Sequence, residues 1–144
     1  MREVILRENS GQTISVLGDR QTFKLTGKET DGKLTVILHE LPPGIGVPMH
    51  VHTHEDETFY LTEGELEVTI DSNIITLKGG DVILLPKNVP HAIKNNTDRL
   101  AKAHLSLYPA GIEEMFMELS KLPAGPPNLA QVSEICNRYG VRFV

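Results

Sequence analysis

The chain has 144 residues, a formal net charge of -5, a pI near 5.6, 40% apolar residues and one cysteine. That length suffices for one domain with a buried core, the acidic balance argues against a nucleic-acid-binding surface, and a lone Cys136 excludes a disulfide framework. No apolar run reaches membrane-spanning length, Val82 to Leu85 being typical of the longest, and the opening M-R-E-V-I-L-R-E-N-S has no uninterrupted apolar segment of signal-peptide length, so a cytoplasmic protein is expected.

In chain order, Val4 to Leu6, Thr13 to Leu17, Thr22 to Thr26 and Leu34 to Leu41 are β-branched and alternating, and predict strands. Gly11, Gly18-Asp19, Gly27 and Asp31-Gly32 are the turns between them, and Pro42-Pro43-Gly44 ends the block. Thr58 to Thr62 and Glu65 to Ile70 follow as strands about the turn Glu63-Gly64. Asp71-Ser72-Asn73 leads into Ile74 to Lys78, and Gly79-Gly80-Asp81 into Val82 to Leu85. Strands around His91 to Lys94 and over Leu100 to Tyr108 complete the set. Many short strands with frequent turns predict an all-β sandwich or barrel.

From Pro109 the period changes. Ile112, Met115, Phe116 and Leu119 recur at helical spacing, with Glu113 and Glu114 in the first turn and Lys121 in the last. Pro123 to Pro127 breaks that helix; Asn128 can cap a second, carrying Leu129, Val132, Ile135 and Tyr139 on one face with Gly140 as its stop. These helices are expected to pack against the outside of the barrel. The alternative has Met115, Phe116 and Met117 form a lid. Cys136 is expected to be a small buried apolar residue, since nothing around it would stabilise a thiolate.

The chemistry is concentrated in His50 to Gly64, H-V-H-T-H-E-D-E-T-F-Y-L-T-E-G. Side chains two apart on a strand share a face, so His50, His52 and His54 point together, with Glu55, Asp56 and Glu57 all within reach. A further histidine, His91, sits in a second cluster from Gly80 to Asn95. Imidazole nitrogen with carboxylate oxygen suits Fe, Mn, Co, Ni, Cu or Zn. A barrel core holding several His and a Glu without a metal would carry unpaired polar groups at about a few kcal/mol each.

These two stretches resemble the two motifs of the cupin superfamily. The first runs Gly44, five residues, His50, one, His52, four, Glu57, six, Gly64. The second runs Gly80, five residues, Pro86, one, Asn88, two, His91, three, Asn95, and departs once, with Asn88 where the pattern has Gly; both residue types tolerate positive φ. The wording P-P-G-I-G-V-P-M-H-V-H further resembles small single-domain cupins labelled quercetin-dioxygenase-like. The resemblance implies a jelly-roll β-barrel, here a single domain over 1–144 with its barrel core at about 22–108 and a helical extension at about 110–140. It selects His50, His52, Glu57 and His91 as the ligands of one divalent transition metal. Because His52 and Glu57 are an odd number apart, the segment between them must be a loop or bulge, placing His54 and Glu55 on that loop as solvated residues.

Three neutral imidazoles and one carboxylate would leave a net charge of about +1 on a divalent ion with open coordination positions, the signature of a catalytic rather than a closed site. Glu57 can then be both ligand and general base. Phe59 and Leu61 share its face by alternation, and Ile93 that of His91, as an apolar lining. His104, Ser106 and Tyr108 alternate on the last strand as candidate polar contacts, with Met49 and His39 weaker candidates still, and Asn95 is expected to set a turn. The function implied is a metal-dependent dioxygenase of a small enolic or phenolic, flavonol-like substrate. The competing readings are a sugar or sugar-phosphate isomerase, for which Arg99 and Lys102 are the obvious cationic pair, and a non-catalytic module that binds a small ligand or metal. A homodimer is expected, because strands before Thr22 are not needed for the barrel and a spare strand pairs with a neighbour's sheet edge.

Overall fold

Alternation of inward and outward side chains, clearest over Thr35–Leu41 and Ala101–Tyr108, builds two antiparallel sheets in the computed structural model, which describes residues 1–144. The elements in order are β1 (Gln12–Val16), β2 (Asp19–Leu25), a short α1 (Gly27–Thr30), β3 (Thr35–Leu41), β4 (Gly46–His52), β5 (Asp56–Glu63), β6 (Glu65–Ile70), β7 (Asn73–Lys78), β8 (Val82–Leu85), β9 (His91–Lys94), β10 (Ala101–Tyr108), α2 (Glu113–Leu119), α3 (Leu129–Arg138) and β11 (Val141–Phe143). One sheet has the order β1-β2-β3-β10-β5-β8 and the other β11-β4-β9-β6-β7, a jelly roll as expected. No helix is long and apolar enough to cross a membrane.

Period-2 patterning decides which face is core. In β3, Thr35, Ile37, His39 and Leu41 are buried and their neighbours are not; in β10, Ala101, Ala103, Leu105 and Leu107 are buried while His104 and Tyr108 are exposed. Ile37, Phe59, Leu61 and Leu105 from one sheet then meet Leu66, Val68 and Ile93 from the other in one continuous core.

Three expectations need correction. Val4 to Leu6 forms no strand and is exposed, since a short apolar run flanked by Arg2, Glu3, Arg7 and Glu8 buries too little to offset ordering it. The strand before Thr22 is not spare: β1 pairs with β2 of its own chain, from Gln12 opposite Phe23 to Val16 opposite Asp19. Thr26-Gly27 is not a plain turn but caps α1, the Thr26 hydroxyl and Glu29 carboxylate forming a reciprocal capping box. A strand that the sequence pattern does not predict closes the chain. It is β11, whose Val141 and Phe143 lie opposite His52 and His50.

The helices do more than cover the outside of the barrel. Asn128 caps α3 by accepting from the Gln131 amide at 3.2 Å, and Val132, Ile135 and Cys136 are its buried face. The start of α2 is tied down by Glu113, read in the sequence only as a favourable first-turn acid. Its carboxylate accepts from the Gly27 amide at 2.8 Å, the Thr35 hydroxyl at 2.5 Å and the Gly111 amide at 2.7 Å. Burial alone would raise its pKa, but these bonds to the charged form hold it below the usual carboxylate value.

Gly140, where α3 gives way to β11, has φ +78°, and a Cβ there would sit 2.5 Å from Thr53 Oγ1. Its carbonyl accepts from both the Thr53 amide at 2.9 Å and the Thr53 hydroxyl at 2.8 Å, locking the C-terminal strand to the loop after β4. Gly140→Ala should therefore destabilise the protein by about 1–3 kcal/mol, from backbone strain together with the clash. Chemical denaturation checks this; an unchanged midpoint would show that the loop yields without cost.

Candidate metal centre

β4 delivers His50 and His52, β5 delivers Glu57 and β9 delivers His91. Each is buried, and one ligand atom from each lies within 4.8 Å of all the others. Donors bound to one ion at about 2.0–2.2 Å stand roughly 3–4.4 Å apart, so the cluster lies within a few tenths of an ångström of the separation one metal ion requires. The odd spacing between His52 and Glu57 is absorbed as expected, by the non-strand residues Thr53 to Glu55.

The protonation pattern is set by partners outside the cluster. His50 Nδ1 donates to the Pro48 carbonyl at 2.8 Å and His91 Nδ1 to the Val89 carbonyl at 3.0 Å, while His52 Nδ1 faces the Glu55 carboxylate at 3.4 Å. Because these partners are acceptors, each Nδ1 carries a hydrogen, and in the neutral imidazole that leaves Nε2 with a bare lone pair for a metal or a proton. Two of those lone pairs face an acid: Glu57 Oε2 is 3.2 Å from His91 Nε2 and 3.5 Å from His52 Nε2. Lone pairs converging on a carboxylate repel unless a cation or protons stand between them.

Among themselves the four side chains separate in basicity. Burial, reinforced by the neighbouring His91, lowers His50 to about 4. Burial also opposes the charged form of His52, but its bond to Glu55 and the charge of Glu57 outweigh this and raise it. Glu57 is likewise opposed by burial, yet the bond from His91 and the nearby imidazoles hold it below the ordinary value. A site that keeps Glu57 ionised and His50 neutral at pH 7 is prepared for a cation.

Glu55 is the residue that sequence reasoning placed wrongly. It is only 5% exposed and supports His52, whereas the neighbouring His54 is exposed as expected. Asp56 turns away, accepting from the Lys87 amide at 2.9 Å. Asn88 adopts φ 65°, the conformation its position demands, and its amide donates to the His52 carbonyl at 2.8 Å. Asn95 sets a turn: its side chain donates to the carbonyls of Leu41 at 2.8 Å and Arg99 at 2.6 Å and accepts from the Thr97 amide at 3.0 Å.

A cavity of about 100 Å³ opens onto His50, His52 and Glu57. Phe59 and Ile93 line it, whereas Leu61 is fully buried on the same face without reaching it. His104 and Ser106 belong to the other surface of their strand. Both sit opposite outward residues of β5, Tyr60 and Thr58, because the inward positions of β10 are Ala103, Leu105 and Leu107. Met115, Phe116, Leu119 and Cys136 close the cavity from the helices, with Val141 and Phe143 from β11; Met117 does not line it. The lid alternative thus describes α2 better than packing on the outside. Cys136 is buried, as expected, and burial raises its thiol pKa to about 11. No Lys or Arg lines the cavity, and Lys102 pairs with Glu63 at 3.5 Å on the surface. Asp19, Gln21 and His39 do line it; the sequence reading took Asp19 as a turn residue and passed over Gln21.

Comparison with known proteins agrees with this geometry. A family model described as "Cupin domain" matches residues 37–108, half of the chain. The quercetin 2,3-dioxygenase of Bacillus subtilis (strain 168) is 36% identical over 87 residues, covering 59% of this chain and 26% of that protein. An oxalate-binding protein of Thermotoga maritima is 36% identical over 61 residues, covering 41% of this chain and 50% of that one. The chain spans between 26% and 60% of the length of the curated relatives it matches. Among solved structures, KdgF from Halomonas sp. superposes with a TM-score of 0.68 over 78% of this chain and 99% of that one, at 16% identity, a likeness of fold.

Proposed function

The chain belongs to the cupin domain family, and from that premise we propose that it is a metal-dependent dioxygenase of a small enolic or phenolic substrate, with His50, His52, Glu57 and His91 holding one divalent transition metal. The observation that carries this reading is the set of three imidazoles whose Nδ1 atoms are engaged elsewhere and whose Nε2 atoms converge with the Glu57 carboxylate. Four protein ligands without a thiolate leave an ion such as Fe, Mn, Co, Ni, Cu or Zn with positions for substrate oxygens. When bound, the metal supplies Lewis acidity and an electronic link between a chelated substrate and O2.

The chain's own residues supply the rest. Glu57 would accept the proton of the substrate hydroxyl on the carboxylate oxygen left free by the metal, turning it into a more electron-rich enolate or phenolate. Phe59, Ile93, Met115 and Phe116 exclude water from the reacting atoms. Partial identity to a quercetin 2,3-dioxygenase supports this class of chemistry. A non-catalytic binding module is the second reading, supported by the partial likeness to an oxalate-binding protein. Phosphorylated sugars fit less well, since no cation lines the cavity.

Elemental analysis should give one transition metal per chain, and the loaded protein should consume oxygen with single-ring enols, diketones or phenols. Full metal occupancy with no oxygen uptake across such a panel would leave the binding module as the better reading.

The expected assembly is a homodimer. Tyr60, Val82, Leu84 and Tyr108 are exposed on one outer surface of β5, β8 and β10, and β8 is a sheet edge, which together offer an apolar face to a second copy. Light scattering at micromolar concentration should return twice the 15.9 kDa chain mass; a value equal to one chain would count against it.

A further inference from the structure

The cavity has a second polar pole, away from the metal centre. Asp19 and Gln21 on β2 and His39 on β3 are 8%, 2% and 3% exposed, and Gln21 lies directly opposite His39 in the sheet. Asp19 organises the group. One carboxylate oxygen accepts from the Val16 amide at 3.1 Å, and the other accepts from Gln21 Nε2 at 3.0 Å and from His39 Nε2.

These bonds determine what the group presents. Since a carboxylate only accepts, the Gln21 amide must turn its Nε2 toward Asp19 and its Oε1 away, and His39 must carry its hydrogen on Nε2. Gln21 Oε1 and His39 Nδ1 are the two buried side-chain polar atoms without a hydrogen-bond partner in the protein. Gln21 Oε1 is an acceptor, as is Nδ1 of His39 in its neutral form, and both residues line the cavity that reaches His50, His52 and Glu57. Phe59 links the two poles: it shares the face of Glu57 two residues along, and its ring centroid is 6.0 Å from that of His39. Buried acceptors left bare are unfavourable, and a donor that reaches them recovers that loss.

We infer that Asp19, Gln21 and His39 form a recognition pole that selects a single-ring ligand carrying a hydroxyl group, whose hydrogen is accepted by Gln21 Oε1 or His39 Nδ1 while oxygens at its other end meet the metal centre. The placement of that other end rests on the metal-centre reading above. Cavity size bounds the ligand class, since about 100 Å³ is below the roughly 150 Å³ of a cavity that holds benzene, which leaves space for one small ring at most and none for a three-ring flavonol. Asp19 acts as a positioning residue, fixing the amide orientation and the imidazole tautomer.

The test is calorimetric titration of the metal-loaded protein, without oxygen, with benzoate, 4-methoxybenzoate, and 3- and 4-hydroxybenzoate. At least one hydroxybenzoate should bind about tenfold or more tightly than benzoate, because an acceptor site rejects analogues that lack the donor. The methoxy compound should gain nothing. Gln21→Met, close in shape but without a hydrogen-bonding amide, should reduce the ratio of hydroxybenzoate to benzoate affinity severalfold, whatever it does to benzoate alone; His39→Leu should do the same. Should His39→Leu unfold by stranding Asp19, the nitrogen resonance of His39 Nδ1 in the unaltered protein gives a second reading. It should move on adding the preferred hydroxybenzoate and stay fixed with benzoate.

Equal affinities across the panel would overturn the inference, by showing that water serves both acceptors equally well. So would a preference that survives both substitutions, or no measurable binding of any probe. A retained hydroxyl preference in a protein that never consumes oxygen would support the pole and remove the dioxygenase reading. Oxygen uptake with no hydroxyl preference would do the reverse.

Discussion

Replacing His52 with alanine is expected to lower affinity for a divalent transition ion by about a hundredfold to a thousandfold. A buried four-ligand site is worth roughly 10–16 kcal/mol in total, so one ligand carries about 2.5–4 kcal/mol, at about 1.4 kcal/mol per factor of ten. The structure adds a graded control within the same few residues. Glu55, which faces His52 Nδ1 at 3.4 Å, orients the imidazole without belonging to the four-ligand cluster. Glu55→Gln should cost about tenfold to a hundredfold, the usual loss when a partner of a ligating histidine is removed. His54 is exposed and outside the cluster, and His54→Ala should leave affinity unchanged. Competition titration against a chromophoric chelator measures all three; equal losses from His52→Ala and His54→Ala would show that the ligand register is wrong. Acid should also weaken binding, because protons and metal compete for the same Nε2 lone pairs. As pH falls, His52, raised above the ordinary imidazole value, should protonate before His50, which is lowered to about 4.

Glu57→Gln is expected to lower turnover by about 10²- to 10⁴-fold, the usual contribution of a positioned general base, while the chain stays folded and metal is retained in weakened form. Glu57 is 4% exposed, and its carboxylate is held ionised against burial by His91, His52 and His50. An amide preserves the shape and one oxygen, but it can neither carry the negative charge nor accept a substrate proton. Metal content and oxygen uptake must be read on the same sample, since only their separation identifies proton transfer. Turnover that fell merely in step with metal loss would reduce Glu57 to a ligand; unchanged turnover would remove it from the chemistry. Unlike the His52 series, this experiment has an informative outcome only if the protein is an oxygenase.

The strands, the centre and the polar pole differed in how far they could be read in advance. Alternation located β1 to β3 and β5 to β10 within a residue or a few, because a sheet buried on one face imposes period 2 directly on the chain. Motif spacing brought His50, His52, Glu57 and His91 together, and the odd interval between His52 and Glu57 correctly required a break in the strand. The turn at Asn95 and the cap at Asn128 were legible for a local reason, since both bond to backbone within a few residues.

What the sequence alone determined, then, is what short-range chemistry and periodicity encode, an all-β fold with two C-terminal helices, together with the four side chains of a candidate metal site that motif resemblance selected. Only the tertiary structure decided the rest, because it depends on which strands become neighbours. His104 and Ser106 could not be assigned a face until β10 was registered against β5. Glu55 reads as a loop acid until the β4–β5 connection folds it under His52. β11 is three residues long and exists because β4 offers it an edge. The bare acceptors of Gln21 and His39 arise only where β2 and β3 pair within reach of the cavity, since Asp19 must be brought beside both before either acceptor is turned away from it. Local pattern fixes which face a side chain shares with its near neighbours, but long-range pairing decides what that face meets.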